Sequence, residues 1–218
     1  MSLVLYGHPF SSYCQKVLIA LYDNAIPFEL RTLGTDAGVD AEFAACWPLK
    51  KMPLLVDGGR PVMEATIIIE HLDVHHPGPV RMVPADPAAA LAARLLDRVF
   101  DNYVMTPMQK IVGDRLRPLA DRDPYGVAEA YRLLDTTYAW LDETLAGRHW
   151  ATGDAFTLAD CAAAPSLFYA DWCHPIEARF ERLRAYRARL LARPSYARAV
   201  DEARPFRPFF PLGAPDRD

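Results

Sequence analysis

Along the first third of the chain the apolar positions follow two periods. Leu3, Val4, Leu5 and Tyr6 make a short run that stops at Gly7-His8-Pro9, and Pro27 to Thr32 alternates with period two. Both read as strands, over residues 2–6 and 27–32. Between them Val17, Leu18 and Leu21 recur at helical spacing, which predicts a helix over 12–24 that stops at Asp23-Asn24. Residues 53–57 and 60–63 flank Gly58-Gly59, a hairpin signal. A helix over 65–75 follows, and a short irregular helix is expected between 34 and 47. A strand, a crossover helix and a parallel strand, then a hairpin and a helix, make a small α/β layer.

After residue 77 the strand signals almost vanish. Pro77-Gly78-Pro79 and the residues to Asp86 read as a linker, so the expected organisation is a first domain over 1–77, a linker over 78–86 and an all-helical second domain over 87–218. Asp86-Pro87 and Asp123-Pro124 each pair an N-cap residue with proline at the first helical position. The first opens onto an apolar-periodic run from Leu91 to Tyr103. The second predicts a helix that runs to Gly147. Thr157 and Asp160 have capping-box spacing, with Phe156 placed as the staple. Pro165 predicts a kink in the helix that follows. An arginine-rich helix is expected over 176–192, ended by Pro194.

Composition narrows the function classes. Of 218 residues 51% are hydrophobic, enough for a sizeable core, and the net charge is −4. That charge argues against nucleic-acid or membrane-surface binding by charge alone. No apolar run approaches the ~18 residues of a membrane span. Met1-Ser2-Leu3-Val4 lacks the basic region of a signal peptide, so a cytoplasmic location is expected. Cys14, Cys46, Cys161 and Cys173 form no C-x-x-C pair and read as free structural thiols.

The candidate chemistry sits at the breaks of the first domain. Ser11 stands where strand gives way to helix, and the first free N–H groups of a helix favour negative charge. A thiol of pKa near 8.5 is only roughly 3% ionised at pH 7, and lowering that pKa by about two units makes it roughly three-quarters thiolate. One hydrogen bond to a charged atom contributes ~1.5–3 kcal/mol, so a single hydroxyl with a helix N-terminus suffices. Ser11 and Ser12 read equally as plain N-caps, and Tyr6 is a rival donor unless it is core. Met52-Pro53 is compatible with either peptide isomer; the cis form would present the Met52 backbone to an extended peptide ligand. The N–H groups of Ala65 and Thr66 at the next helix start suit a carboxylate, and Glu64 suits an ammonium. Lys51, with Lys50 as its weaker neighbour, suits a second carboxylate.

Taken together these pieces resemble a cytosolic glutathione transferase of bacterial type with a serine active site. The matching segments are Leu5-Tyr6 through Ser11-Ser12, Trp47-Pro48 through Lys51-Met52-Pro53, Glu64-Ala65 through His71-Leu72, Gly153-Asp154 through Asp160, and Arg193-Pro194-Ser195-Tyr196. They cover nearly the whole chain in order. The resemblance implies a thioredoxin-like N-terminal domain and an all-α C-terminal domain. It implies glutathione as co-substrate and no metal. Ser11 would stabilise the thiolate, and Ser12, Lys51, Met52, Pro53, Glu64, Ala65 and Thr66 would bind the tripeptide. Phe10, Tyr103, Met108 and Trp172 would wall a pocket for a hydrophobic electrophile, alongside other aromatics such as Phe206, Phe209 and Phe210. A homodimer is expected, with no nucleic-acid or membrane partner.

Two departures stand out. Ala65 occupies a position where the family usually carries serine, which predicts weaker glutathione binding unless Thr66 compensates. Serine at 11, where redox-active branches carry cysteine, favours transfer over thiol–disulfide exchange. The leading expectation is therefore thiolate attack on an electrophilic carbon; the alternatives are a non-catalytic binding member of the fold and a glutathione-dependent isomerase. Glu70-His71 with His75 and His76 are open to metal, since His71 and His75 are four apart on a helix, but a helix end with exposed histidines near the linker is the simpler expectation.

Overall fold

The computed structural model describes residues 3–218; Ser2, placed in the first strand by its sequence, lies outside them. Among the described residues a four-stranded sheet has the order β2-β1-β3-β4. Its strands are β1 (Leu3–Gly7), β2 (Phe28–Thr32), β3 (Leu54–Asp57) and β4 (Arg60–Met63). β1 runs parallel to β2 and antiparallel to β3, with Leu5 opposite both Leu30 and Leu55. β3 and β4 form the expected hairpin.

Helix α1 (Ser12–Asp23) lies on one face of this sheet with α3 (Ala65–His75). Side chains alternate across a strand, so Leu5 faces α1 while Tyr6 joins a separate small cluster with Leu33, Phe43 and Leu54. That cluster covers α2 (Ala37–Cys46), a regular helix where an irregular one was expected. Asp36 explains the regularity: its carboxylate accepts the Gly38 N–H at 2.7 Å and caps the helix.

The remaining helices are α4 (Pro87–Val99), α5 (Thr106–Leu116), α6 (Pro124–Thr144), α7 (Leu158–Cys173), α8 (Glu181–Ala192) and α9 (Pro194–Ala203). Asp86 and Asp123 cap α4 and α6 as their spacing predicts. The Asp160 carboxylate accepts the Thr157 N–H at 2.8 Å, the return half of the expected capping box. α7 runs through Pro165 as one element. α6 stops at Thr144, and Gly147 forms the turn beyond it at φ 72°. The arginine-rich helix begins at Glu181, later than its periodicity suggests, and Pro194 opens α9 because proline fits the first helical position.

Between α4 and α5 the helix passes through a π-helical segment, Phe100–Met105. The Thr106 N–H bonds the carbonyl of Asp101, five residues back. Periodicity at 3.6 residues gives no warning of this wider turn, which packs against α7 and buries Phe100 and Val104.

One apolar core joins the two halves. α1 is buried from Cys14 to Leu21 because it packs on the sheet side and also against α7 and α9. Residues 77–86 carry no helix or strand, yet they are fastened. Val80 donates its N–H to Asn24, Met82 donates to Asp73, and the Met82 carbonyl accepts from Leu158. Met82 itself is buried. Among the described residues no helix is long and apolar enough to cross a membrane.

Candidate functional site at the junction of the two halves

A cavity of about 640 Å³ opens where the β1–α1 corner, the β3 approach and the start of α3 face the π-helical segment. Ser11 is the N-cap of α1, with extended backbone at φ −82° and ψ 122°. Its Oγ accepts the Cys14 N–H at 3.4 Å. A hydroxyl has two lone pairs and one proton, so the cap leaves the Ser11 O–H able to donate into the cavity that it lines. The corner is tight: a Cβ added at Gly7 would stand 2.7 Å from Cys14 Sγ.

Lys50, Lys51, Met52 and Pro53 form a second wall, and the Met52-Pro53 bond is cis. Glu64 and Ala65 form the third. Glu64 sits at φ 70° and ψ 119° and makes no side-chain cap bond to α3. A non-glycine residue there costs of order 1–3 kcal/mol, which the neighbouring hairpin and helix must hold in place. The first N–H groups of α3 have no intrahelical partners and are available to an anion.

The fourth wall comes from the helical half: Arg98, Asp101, Asn102 and Gln109. Behind it lies a buried ionic network. Lys16 Nζ is 2.5 Å from Asp97 and 2.9 Å from Asp101, and it donates to Thr66 Oγ1 at 2.9 Å. Arg98 reaches the same two aspartates and the same hydroxyl. Two cations and two anions thus balance, and Arg98 and Asp101 carry that network to the cavity surface. The lining as a whole mixes three cations (Lys50, Lys51, Arg98) with two acids (Glu64, Asp101). Such a wall suits a ligand that bears carboxylates and an ammonium.

A second cavity of about 380 Å³ adjoins the first, and Ser11 and Gln109 line both. Its walls are largely apolar, with Phe10, Met108, Val112, Tyr169 and Phe210 among them. Trp172 stands behind this wall, its ring 5.2 Å from Phe210 and 6.5 Å from Phe10.

The residues singled out in the sequence are distributed as follows. Ser11, Lys51, Met52, Pro53, Glu64 and Ala65 surround the first cavity, and Phe10, Ser12 and Met108 line the second. Thr66 is turned inward to Lys16 and Asp97, so its hydroxyl does not stand in for the serine absent at 65. Trp172 is buried and supports the wall without lining it. Tyr103 is 50% exposed and borders neither cavity, because the π-helical turn rotates it outward. Tyr6 is removed as a rival donor: its hydroxyl donates to Glu42 at 3.0 Å and accepts from Arg31 at 3.1 Å on the α2 face. Of the tail aromatics, Phe209 and Phe210 border the apolar cavity and Phe206 does not.

Sequence reasoning missed Tyr13, Arg98, Asp101, Asn102 and Gln109. Tyr13 lines the first cavity beside Ser11, and its phenol is pushed up to about 12 by burial first and by the nearby Asp101 second. A visible signal did exist for the network: Lys16 interrupts an otherwise apolar run, and Asp97, Arg98 and Asp101 interrupt another. Such charges inside apolar stretches point to one another.

The chain's relatives share this architecture. Residues 5–80 match the model of the glutathione S-transferase N-terminal domain, and residues 124–189 match that of the C-terminal domain. A probable maleylacetoacetate isomerase of Vibrio cholerae is 30% identical over 215 residues, spanning 94% of this chain and 98% of the relative. Glutathione S-transferase GstB of Escherichia coli is 28% identical over 171 residues, 76% of this chain and 82% of that one. A crystal structure of a glutathione S-transferase from Methylobacterium radiotolerans, in complex with glutathione sulfonate, superposes with a TM-score of 0.79 at 32% identity. It covers 92% of this chain and 95% of that chain. The chain belongs to the glutathione S-transferase family of enzymes. Its α/β N-terminal half and all-helical C-terminal half are those of that family.

Proposed function

We propose that the mixed-charge cavity binds glutathione and that Ser11 holds its thiol as a thiolate for attack on an electrophile in the apolar cavity. The observation that carries this reading is the position of Ser11, the cap of α1, on the wall shared by both cavities. The first N–H groups of α3 take the γ-glutamyl carboxylate, Glu64 pairs with its ammonium, and Lys51 meets the glycyl carboxylate. With Ala65 supplying only a backbone donor, that end of glutathione loses one hydrogen bond to a charged group, worth ~1.5–3 kcal/mol. Conjugation forms one sulfur–carbon bond. The proton leaves the thiol, and either a leaving group departs with the electron pair or the carbon beyond takes up a proton. Ser11 contributes electrostatic stabilisation and the two adjoining cavities contribute positioning.

A second reading is favoured by the Vibrio cholerae relative, whose coverage is nearly complete. In a glutathione-dependent isomerisation the same thiolate adds to a conjugated double bond. After rotation about the resulting single bond it is expelled, so glutathione is regenerated. Product analysis separates the two. Aryl halides consumed in step with glutathione support conjugation; a cis-diketo acid converted to its trans form with no net loss of glutathione supports isomerisation. A glutathione complex with the sulfur beyond reach of Ser11 and bonded to Tyr13 contradicts both.

We further infer that the protein acts as a cytoplasmic homodimer. Ile67 and Val74 on α3, with Leu91 and Leu95 on α4, are 52–70% exposed. The Glu70–Arg94 ion pair ties the two helices together among them. An apolar face of this kind suits a second copy of the chain.

A further inference from the structure

The spacing of His71 and His75 suggests that these two side chains act together, but the fold assembles a different group. Asp57, the last residue of β3, lies under the C-terminal end of α3. Its Oδ2 is 2.9 Å from His71 Nε2 and 2.7 Å from His76 Nε2. These donor atoms all lie within 4.8 Å of one another. His71 is 11% exposed, Asp57 15% and His76 27%, so the group is recessed and reached from the His76 side. The expectation of exposed histidines at this helix end therefore holds for His75 and not for His71 or His76. None of the three residues lines either cavity described above.

Each member stands on fixed backbone. Asp57 is paired with Leu3 and Arg60 in the sheet. His71 is inside α3. His76 caps α3, and its N–H bonds the Leu72 carbonyl at 2.8 Å. Two imidazole nitrogens and one carboxylate oxygen, with room for a water, form a recurring donor set for zinc. Tetrahedral zinc bonds of ~2.0–2.2 Å set donor atoms about 3.3 Å apart. The two pairs at 2.7 and 2.9 Å need to open by only a few tenths of an ångström, within reach of side-chain rotation.

We propose that Asp57, His71 and His76 form a binding site for a late first-row divalent cation of the zinc type, separate from the glutathione cavity. Nε2 of each ring ligates the ion. The single proton of each neutral imidazole then sits on Nδ1, and the carboxylate supplies the negative ligand. The His75 ring lies beside that of His71, tilted by 44° with centroids 4.4 Å apart, and is not a ligand.

The test uses the full chain free of any affinity tag, stripped with a chelator, and titrated with Co²⁺ for its visible absorption and with Zn²⁺ by calorimetry. A Cys46→Ser background removes the exposed thiol as a competing ligand. The expected result is one ion per chain, with affinity weakened at least about 10-fold in Asp57→Asn and in His76→Gln, and unchanged in His75→Gln. Circular dichroism of each variant checks its fold, and His76→Gln, at the more exposed position, is the safer of the two. Anomalous diffraction from a Co²⁺-soaked crystal should place the ion between the three side chains. No saturable binding at one equivalent, binding unaltered in both ligand variants, or an ion located elsewhere overturns the proposal.

Discussion

At the scale of single residues, burial sets the chemistry of the side chains around Ser11. The Cys14 thiol, next to it in the corner, is pushed up to about 11 by burial, so it stays protonated and inert at neutral pH. Burial likewise pushes the Cys173 thiol up to about 12 and raises Cys161. Tyr13 is also raised, to about 12. These groups keep their protons in the folded chain at a pH where the unfolded chain has lost them. Their contribution to stability is therefore present in full below about pH 9 and is lost as the pH climbs through about 11. The urea midpoint should be flat from neutral pH to the unfolded thiol range and then fall steadily; a midpoint that rises or holds level to pH 11 contradicts this. The place of Ser11 at the strand-to-helix break was legible in the sequence, but there it reads equally as a plain N-cap; only the fold adds that the same residue lines both cavities. Tyr13 was not, since an aromatic in the first turn of a helix gives no sign of which side it faces.

At the scale of elements, the buried network couples α1 to α4 and to the π-helical segment. Lys16 is 1% exposed and Asp97 is fully buried. Replacing Lys16 with Met keeps an unbranched apolar stem, one atom shorter, but leaves two aspartates facing Arg98 alone. Removing one partner of a buried pair costs about 3–5 kcal/mol, and chemical denaturation should show a loss of that order. A loss under 1 kcal/mol would mean the pair is exposed to water in solution. Strands and capped helices were readable here because short-range rules govern them: a short apolar run for β1, alternation for β2, Gly58-Gly59 for the hairpin, Asp-Pro starts for α4 and α6. The wider turn at Phe100–Met105 was not, since it answers to packing against α6 and α7. The same turn explains why Tyr103 was misplaced and why Asp101 and Asn102, at the cavity wall, escaped notice.

At the scale of the whole molecule, the two halves share one core through α1, and both cavities lie along their junction. The first cavity could be anticipated on its N-terminal side, where each wall is a short motif. Its helical side could not, because Arg98 and Gln109 reach it only through the tertiary packing of α4 and α5. The exposed face of Ile67, Val74, Leu91 and Leu95 adds a prediction about assembly. Sedimentation equilibrium should give a dimer for the native chain, and Leu91→Glu with Leu95→Glu should shift it to monomer with helix content retained. A native monomer at micromolar concentration would contradict the dimer.

The central claim concerns one hydrogen bond, from the Ser11 hydroxyl to a bound sulfur. It is tested most directly by titrating the thiolate absorbance of glutathione bound to the native chain and to Ser11→Ala. The account predicts a bound thiol well below its free pKa in the native chain and a rise of about one to two units in the variant. The same titration curve for both proteins, with glutathione bound in each, would contradict it.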